Sequence, residues 1–370
     1  MKSHSEGRIF FLYKKTAVRE EALSVRSASS GYSLYGFFEL QEAQYPVEAV
    51  YGDSPTGIWR IIGAVVRRLN LAWTGYSSNP RAVLPHLKHL RGAAGIVATS
   101  NNVGLPLLLL RRFGLVKAPV FLISVGLEAY RNDGNSARCR RLGRLLRDAD
   151  QVVVFSEDER DFLQERLSLQ PGQVQFVPYG FHSRYFPKFE SRSGAGGELL
   201  MVGADAQRDV ELLREWSLRN PSIRIRCVLS EELVLRLPSI PDSWELEQDI
   251  PFVEVLKRLR EASRVVIPVK KNLYTAGTTF MIQALAVGVP VLVARTGVLT
   301  GMEEARPFPF ITYEPEDLTS FDKGMERLRS MSPEESLRVG EEGRRWVERW
   351  GDGRALQSAL VDFADRSLCS

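Results

Sequence analysis

Short apolar runs alternate with amphipathic stretches along almost the whole of this 370-residue sequence. Alternation of this kind is typical of α/β folds, in which helices bury both faces of a parallel sheet. In the first half we predict a helix over residues 33–44 and strands over residues 8–13, 47–51, 95–99, 119–124, 151–155 and 174–177. The pattern therefore predicts an α/β protein with parallel sheets.

The alternation is interrupted once, at residues 191–197 (SRSGAGG), which have the composition of a flexible linker. It then restarts, with strands predicted over residues 199–202, 223–229, 265–269 and 289–294 and helices between them. We predict an N-terminal domain over 1–190, a C-terminal domain over 198–350, and a final helix over 351–370 that could cross back to the first domain. Two such domains imply a cleft between them, a common place for a ligand.

Composition excludes several classes of protein. The sequence is 44% hydrophobic and 25% charged, which is ordinary for a globular protein. No apolar run reaches the ~18–20 residues that a membrane-spanning helix needs, and residues 1–8 lack an apolar signal-peptide core. We therefore expect a cytoplasmic protein. The three cysteines have no CxxC spacing, so they indicate neither a zinc site nor a disulfide framework.

Charge is unevenly distributed along the chain. Residues 1–190 hold 25 Lys and Arg against 17 Asp and Glu, whereas residues 191–370 hold 24 against 28. A basic first half suits an acidic partner such as a phosphate-bearing acceptor or anionic lipid. Residues 58–73 are apolar with interspersed arginines, which is consistent with a helix half-buried against the core, the interpretation we favour, or with peripheral membrane contact. No nucleic-acid-binding module is recognisable.

The segment 265–293 contains the strongest signal for a ligand. An apolar run ends in Lys270 and Lys271, and a short polar loop leads to Gly277, Thr278 and Thr279 at a predicted helix start. Free N–H groups and the positive end of a helix dipole attract anions, and a glycine lets a ligand approach the backbone. An ordinary threonine cap without any ligand gives the same local pattern.

This segment resembles the donor-binding signature of retaining glycosyltransferases of family 4, which have the GT-B fold of two Rossmann-like domains facing across a cleft. Residues 284–291 (ALAVGVPV) match the second half of that signature position by position. The family's second glutamate, which binds the donor ribose, is Gln283 here, and its first glutamate, which contacts the sugar, is Thr275. Glutamine can still bind ribose hydroxyls.

Two further stretches resemble the family at matching intervals. Residues 145–187 are similar to its crossover between domains and contain a Val-Pro-Tyr-Gly turn at 177–180. Residues 199–213 resemble its first C-domain strand and loop, where a basic residue reaches the donor diphosphate. The resemblance assigns that role to Arg208 and close backbone approach to Gly203.

In the N-terminal half, residues 120–128 (VFLISVGLE) resemble the strand and loop that face the reacting sugar. Many family members have His-Gly there, where this chain has Val-Gly ending in Gly126. The resemblance leaves Ser124 or Glu128 to take part of the histidine's role. It also places Gly31 and Tyr32 in the loop that approaches the acceptor.

Taken together, the resemblance implies transfer of a sugar from a nucleoside-diphosphate donor, with retention and without a metal or other cofactor. The acceptor could be a glycan, a lipid-linked molecule or a small molecule. Arg208, Lys270 and Lys271 would supply positive charge to the leaving diphosphate. The only Asp-x-Asp, at 148–150, precedes its strand and predicts no metal site.

Two other functions are alternatives to glycosyl transfer. A nicotinamide-dependent enzyme would need GxGxxG between a strand and a helix, which this sequence lacks. The replaced glutamates and histidine keep open a catalytically inactive partner protein that binds a sugar nucleotide.

Overall fold

A computed structural model of the chain describes residues 7–26, 30–52, 58–76, 78–127, 136–186, 198–299 and 308–369. The chain divides into two compact units, the first formed by residues 1–178 with 354–370 and the second by residues 179–353. We describe each unit separately. The linker predicted at 191–197 lies outside the described residues.

The first unit is built on a six-stranded parallel sheet with the order β2-β1-β3-β4-β5-β6. Its strands are β1 Ile9–Lys14, β2 Val47–Gly52, β3 Gly95–Ala98, β4 Val120–Ile123, β5 Gln151–Val154 and β6 Val174–Phe176. The residues of β3 and β4 are buried throughout, because helices cover both faces of a parallel sheet. The continuous apolar runs of the sequence therefore form the central strands of this sheet.

The helices of this unit connect successive strands. They are α1 Ala17–Val25, α2 Phe37–Glu42, α3 Ile58–Thr74, α4 Leu87–Leu90, α5 Asn101–Arg112, α6 Ser136–Leu146 and α7 Glu157–Glu165. The single helix predicted over 33–44 is wrong. Tyr35 and Gly36 have φ values of 49° and 85°, and this left-handed backbone separates a 3₁₀ turn at Gly31–Leu34 from α2.

The second unit repeats the plan, with strand order β12-β11-β10-β7-β8-β9. Its strands are β7 Leu199–Gly203, β8 Ile225–Leu229, β9 Trp244–Gln248, β10 Arg264–Ile267, β11 Val291–Ala294 and β12 Ile311–Tyr313. Its helices are α8 Val210–Arg219, α9 Glu231–Val234, α10 Phe252–Glu261, α11 Thr278–Val287, α12 Leu318–Arg329 and α13 Pro333–Trp350. Both units are thus α/β with parallel sheets, as predicted.

The last helix, α14 (Arg354–Leu368), belongs to the first unit although it follows the second in sequence. Phe363 is 2% exposed, and its ring centroid lies 5.3 Å from that of Phe121 on β4. Tyr45, just before β2, donates a hydrogen bond of 2.7 Å to Asp365. The core of the first unit is therefore assembled from both ends of the chain.

Candidate functional site

The loops that follow β7 and β10 meet in the second unit. These two strands are neighbours and parallel, so their carboxyl ends lie at the same edge of the sheet. The Lys270 amide donates to the Gln207 carbonyl at 2.8 Å, and the Asp209 amide donates to the Pro268 carbonyl at 3.0 Å. The residues predicted from two separate motifs are thereby joined into one backbone frame.

Helix α11 begins at this frame with its first turn uncapped by any side chain. Gly277 is its N-cap residue, with φ of 80°, and no side-chain oxygen accepts from the helix. Thr278 is buried, and its amide donates to the Thr275 carbonyl at 3.1 Å. The start of α11 therefore presents free N–H groups and the positive end of the helix dipole.

The loop leading to α11 is held in place by Asn272, which is 5% exposed. Its side-chain amide donates to the Lys270 carbonyl at 2.7 Å, and its side-chain oxygen accepts from the Tyr274 amide at 3.1 Å. Its backbone carbonyl accepts from Gly297 at 2.9 Å. Residues 270–274 therefore form a fixed turn, and the start of α11 keeps its position relative to β10.

Arg208 lies between two glycines that leave room for it. A methyl group in place of the Gly203 hydrogen would come within 2.6 Å of the Arg208 Cγ, and one at Gly277 within 2.6 Å of its Nη1. The backbone of Arg208 forms an antiparallel bridge with Val269. Arg208 is thus in direct contact with Gly203 and Gly277, two of the other residues predicted to bind the diphosphate.

The guanidinium of Arg208 is buried without full hydrogen bonding. The residue is 7% exposed, its Nε donates to the Val202 carbonyl at 3.2 Å, and its Nη2 lies 3.7 Å from an Asp205 carboxylate oxygen. Its Nη1 is buried and has no hydrogen-bond partner among the described residues. Leaving such a donor unsatisfied costs about 1–3 kcal/mol, and here it faces the positive end of α11. An anion would satisfy both groups at once.

Ionisable groups beside Arg208 shape the local charge. Burial raises the pKa of Asp209, although its side chain caps α8 by accepting from the Leu212 amide at 3.2 Å and the charge of Lys270 acts in the opposite direction. Burial also raises the pKa of Tyr313, whose hydroxyl accepts from the Val269 amide at 3.3 Å. Tyr313 therefore stays neutral at physiological pH, and Lys270 is the lysine that contributes charge here. Lys271 is exposed.

Further along α11, Thr279 and Gln283 lie on the same helix as the free N–H groups. The Thr279 hydroxyl is 2.6 Å from that of Tyr179, which belongs to the turn at 177–180. Gln283 is 2% exposed. Sequence reasoning named the turn but missed Tyr179, because a tyrosine there carries no recognisable spacing.

Two of the residues predicted in the first unit, Ser124 and Gly126, follow the carboxyl end of β4. Ser124 follows β4, is fully buried, and donates to the Glu159 carboxylate at 3.0 Å. Gly126 has φ of 76°, and Gly31 and Tyr32 lie in the 3₁₀ turn before α2. Glu128, predicted as a catalytic residue, lies outside the described residues. The roles of these residues remain predictions.

Both aspartates of the Asp-x-Asp sequence at 148–150 are engaged in ion pairs with arginines of α5. Asp148 pairs with Arg112 at 3.1 Å, and Asp150 pairs with Arg111 and accepts from the Val120 amide at 2.7 Å. Within the described ranges, no group of three or more His, Cys, Asp or Glu residues could hold a metal ion. In the same ranges no helix is both long enough and apolar enough to cross a membrane.

Comparisons with known proteins bear on this site. No family model matches the chain. Over 193 residues it is 27% identical to a D-inositol 3-phosphate glycosyltransferase of Nocardiopsis dassonvillei, a match that covers 44% of this chain and 44% of that protein. The chain thus matches less than half the length of this curated relative.

Two solved structures resemble the whole chain. Sucrose-phosphate synthase from Thermosynechococcus elongatus has a TM-score of 0.68 at 16% identity, covering 97% of this chain and 98% of its own. HepE from Anabaena, in complex with UDP and glucose, has a TM-score of 0.64 at 10% identity, covering 97% and 99%. These likenesses confirm the predicted fold class, because the two parallel six-stranded sheets match those of GT-B glycosyltransferases.

Proposed function

We propose that the chain is a glycosyltransferase that takes a sugar from a nucleoside-diphosphate donor held by its second unit. The observation that carries the proposal is Arg208, a buried cation with an unsatisfied Nη1 beside the uncapped start of α11. Two positive groups at one point favour an anion, and more strongly one that carries more than one charge. A diphosphate is such an anion: HepE is described in complex with UDP, a nucleoside diphosphate, and the curated relative is a glycosyltransferase by name.

The chemistry follows from where negative charge develops. The bond between the anomeric carbon and the diphosphate oxygen breaks, a bond to an acceptor hydroxyl oxygen forms, and the hydroxyl proton passes to the departing diphosphate. Arg208, Lys270 and the N–H groups of α11 stabilise the departing diphosphate. Gln283 binds the ribose, and Thr275 faces the sugar. We extend the proposal to retention, to transfer without a metal, and to a glycan, lipid-linked or small-molecule acceptor in the cytoplasm.

One observation favours a second candidate, a sugar-nucleotide-binding protein without activity. Gln283 and Thr275 stand in place of the two glutamates of the family 4 donor-binding signature that this segment resembles. Neither side chain can carry a negative charge. Such a protein would bind the donor and release no sugar. Binding and turnover must therefore be measured separately.

The first experiment is a thermal-shift panel with UDP, GDP, TDP, CMP and NAD, each with and without EDTA. We expect one nucleoside diphosphate to raise the melting temperature, with no effect of EDTA. Arg208→Ala should weaken the binding of that nucleotide about 10- to 100-fold, which is the effect expected from losing a hydrogen bond to a charged group. Arg214→Ala is the matched control, because Arg214 lies on α8 and bonds Ser239 instead.

Turnover of the donor that binds then decides between the two candidates. Release of nucleoside diphosphate from its sugar ester, lost in Arg208→Ala and kept in Arg214→Ala, supports the transferase. Binding without release of sugar to water or to any acceptor supports the inactive candidate. Failure of every nucleotide to bind would contradict both.

A further inference from the structure

An exposed apolar stripe runs along α3 in the first unit. Ile61, Val65 and Leu69 are 65%, 51% and 63% exposed and recur every fourth residue, so they share one face of the helix. The opposite face of α3 is buried and consists of small and polar residues, including Asn70 and Thr74, which are each 1% exposed. The apolar side that we expected to face the core therefore points outward.

Arginines border this stripe. Arg60, Arg67 and Arg68 on α3 are all exposed, and none of them forms an ion pair with a described residue. The neighbouring helix α6 adds further arginines, and one of them, Arg141, donates to the Trp73 carbonyl at the end of α3 at 3.4 Å. Apolar and cationic side chains thus occupy the same exposed surface, defined here by α3 and α6 and called the α3 surface.

Acidic residues are missing from this part of the sequence. Residues 54–127 contain nine Lys and Arg and no Asp or Glu, and α6 has none either. Of these nine, Arg111 and Arg112 are paired with the carboxylates at 150 and 148. The elements packed against α3, namely α6 and the 3₁₀ turns Pro80–Ala82 and Leu84–His86, carry no carboxylate. These packed elements therefore place no carboxylate beside the arginines of α3.

We propose that the α3 surface docks the protein onto a membrane rich in anionic lipid. An aliphatic stripe bordered by arginines matches the boundary between lipid headgroups and acyl chains. Ile61, Val65 and Leu69 enter that boundary, while the arginines bind headgroup phosphates. A second copy of the chain fits less well, because a two-fold contact would bring the same arginines face to face. This proposal does not depend on the transfer reaction.

The test is co-sedimentation of the full chain with vesicles of phosphatidylcholine alone or mixed with phosphatidylglycerol. We expect binding to the mixed vesicles that falls as salt is added, because exposed charges are screened. Arg67→Gln with Arg68→Gln should weaken binding about 20- to 30-fold, since each arginine near an anionic surface is worth about fivefold. Ile61→Ser with Leu69→Ser should weaken it about tenfold or more.

Matched controls come from the second unit, where Arg219→Gln and Leu235→Ser change residues of similar exposure. Neither should alter vesicle binding. Equal binding of the α3 variants and the wild type, or no binding to mixed vesicles at all, would overturn the proposal. A dimer in sedimentation velocity that only the α3 variants disrupt, without vesicle binding, would assign the surface to a second copy. The nucleotide-induced thermal shift should be unchanged in every variant, which keeps docking separate from the proposed transfer.

Discussion

Asp209 is the carboxyl group of the candidate site whose pKa is shifted by its surroundings. It lies next to Arg208, is 6% exposed and caps α8. Burial holds its pKa above the usual aspartate value, and Lys270 offsets only part of that effect. Ionisation of the Asp209 carboxyl group in the folded protein therefore costs stability.

At this scale we predict the effect of Asp209→Asn on stability. As pH rises above about 4, the unfolded chain loses the Asp209 proton before the folded chain does, so the carboxyl group increasingly destabilises the fold. Asparagine keeps the cap without the charge. The variant should match the wild type near pH 3 and melt at a higher temperature near pH 7, as thermal denaturation across this range would show.

The control for this prediction is Asp317→Asn, which changes an exposed N-cap on α12. There the substitution removes no desolvated carboxylate, so it should give no gain at neutral pH. A gain for Asp209→Asn that is larger in acid than at neutral pH would contradict the sign of the shift.

The residues of the site were predictable where a backbone requirement restricts the residue type. Gly203 and Gly277 must be glycines because any side chain there would collide with Arg208. Both positions could therefore be recognised in the sequence. Asn272 and Tyr313 were missed. They hold the frame through hydrogen bonds to backbone atoms, and several polar residue types form such bonds without a fixed spacing.

At the scale of elements, the proposed anion site lies at the start of α11, where the backbone is left-handed. Gly277→Ala should lower the free energy of unfolding by about 1–3 kcal/mol, because it places a side chain at φ of 80°. Its Cβ would also lie 2.6 Å from the Arg208 Nη1 and 2.9 Å from the Ile267 side chain. We therefore expect the nucleotide-induced thermal shift to be lost as well.

Gly114→Ala separates these two effects. Gly114 has φ of 70°, but no atom lies within 4 Å of the added Cβ. The substitution should cost only the backbone strain and leave nucleotide binding intact. If Gly277→Ala bound the nucleotide as the wild type does, the start of α11 would not be the anion site.

The strands of both sheets followed from apolar runs, except the two edge strands of the second sheet. β9 reads WELEQ and β12 has three residues. An edge strand is covered less fully, so charged residues are tolerated and the apolar run is lost. α12 was also missed, since no apolar run beside it marked its start. Pattern reasoning therefore predicted the centre of the second sheet better than its borders.

At the scale of the whole molecule, the two units should respond separately to damage in one core. Phe363→Ala on α14 removes a fully packed ring and should cost the first unit about 3–5 kcal/mol. Differential scanning calorimetry should show one transition moving to lower temperature, while the nucleotide still raises the other. Leu368→Ala, on the same helix and 37% exposed, should move neither transition appreciably. A nucleotide effect abolished by Phe363→Ala would contradict this independence.

The position of α14 also sets the order of events during protein synthesis. Residues 354–368 complete a core whose other members include β1, and the whole second unit lies between them in the sequence. The first unit therefore keeps exposing the apolar surface that α14 covers, including the Phe121 ring, until residues 354–368 have been made. Domains usually fold in the order of their synthesis. Here the earlier unit cannot complete its core before the later one has been synthesised.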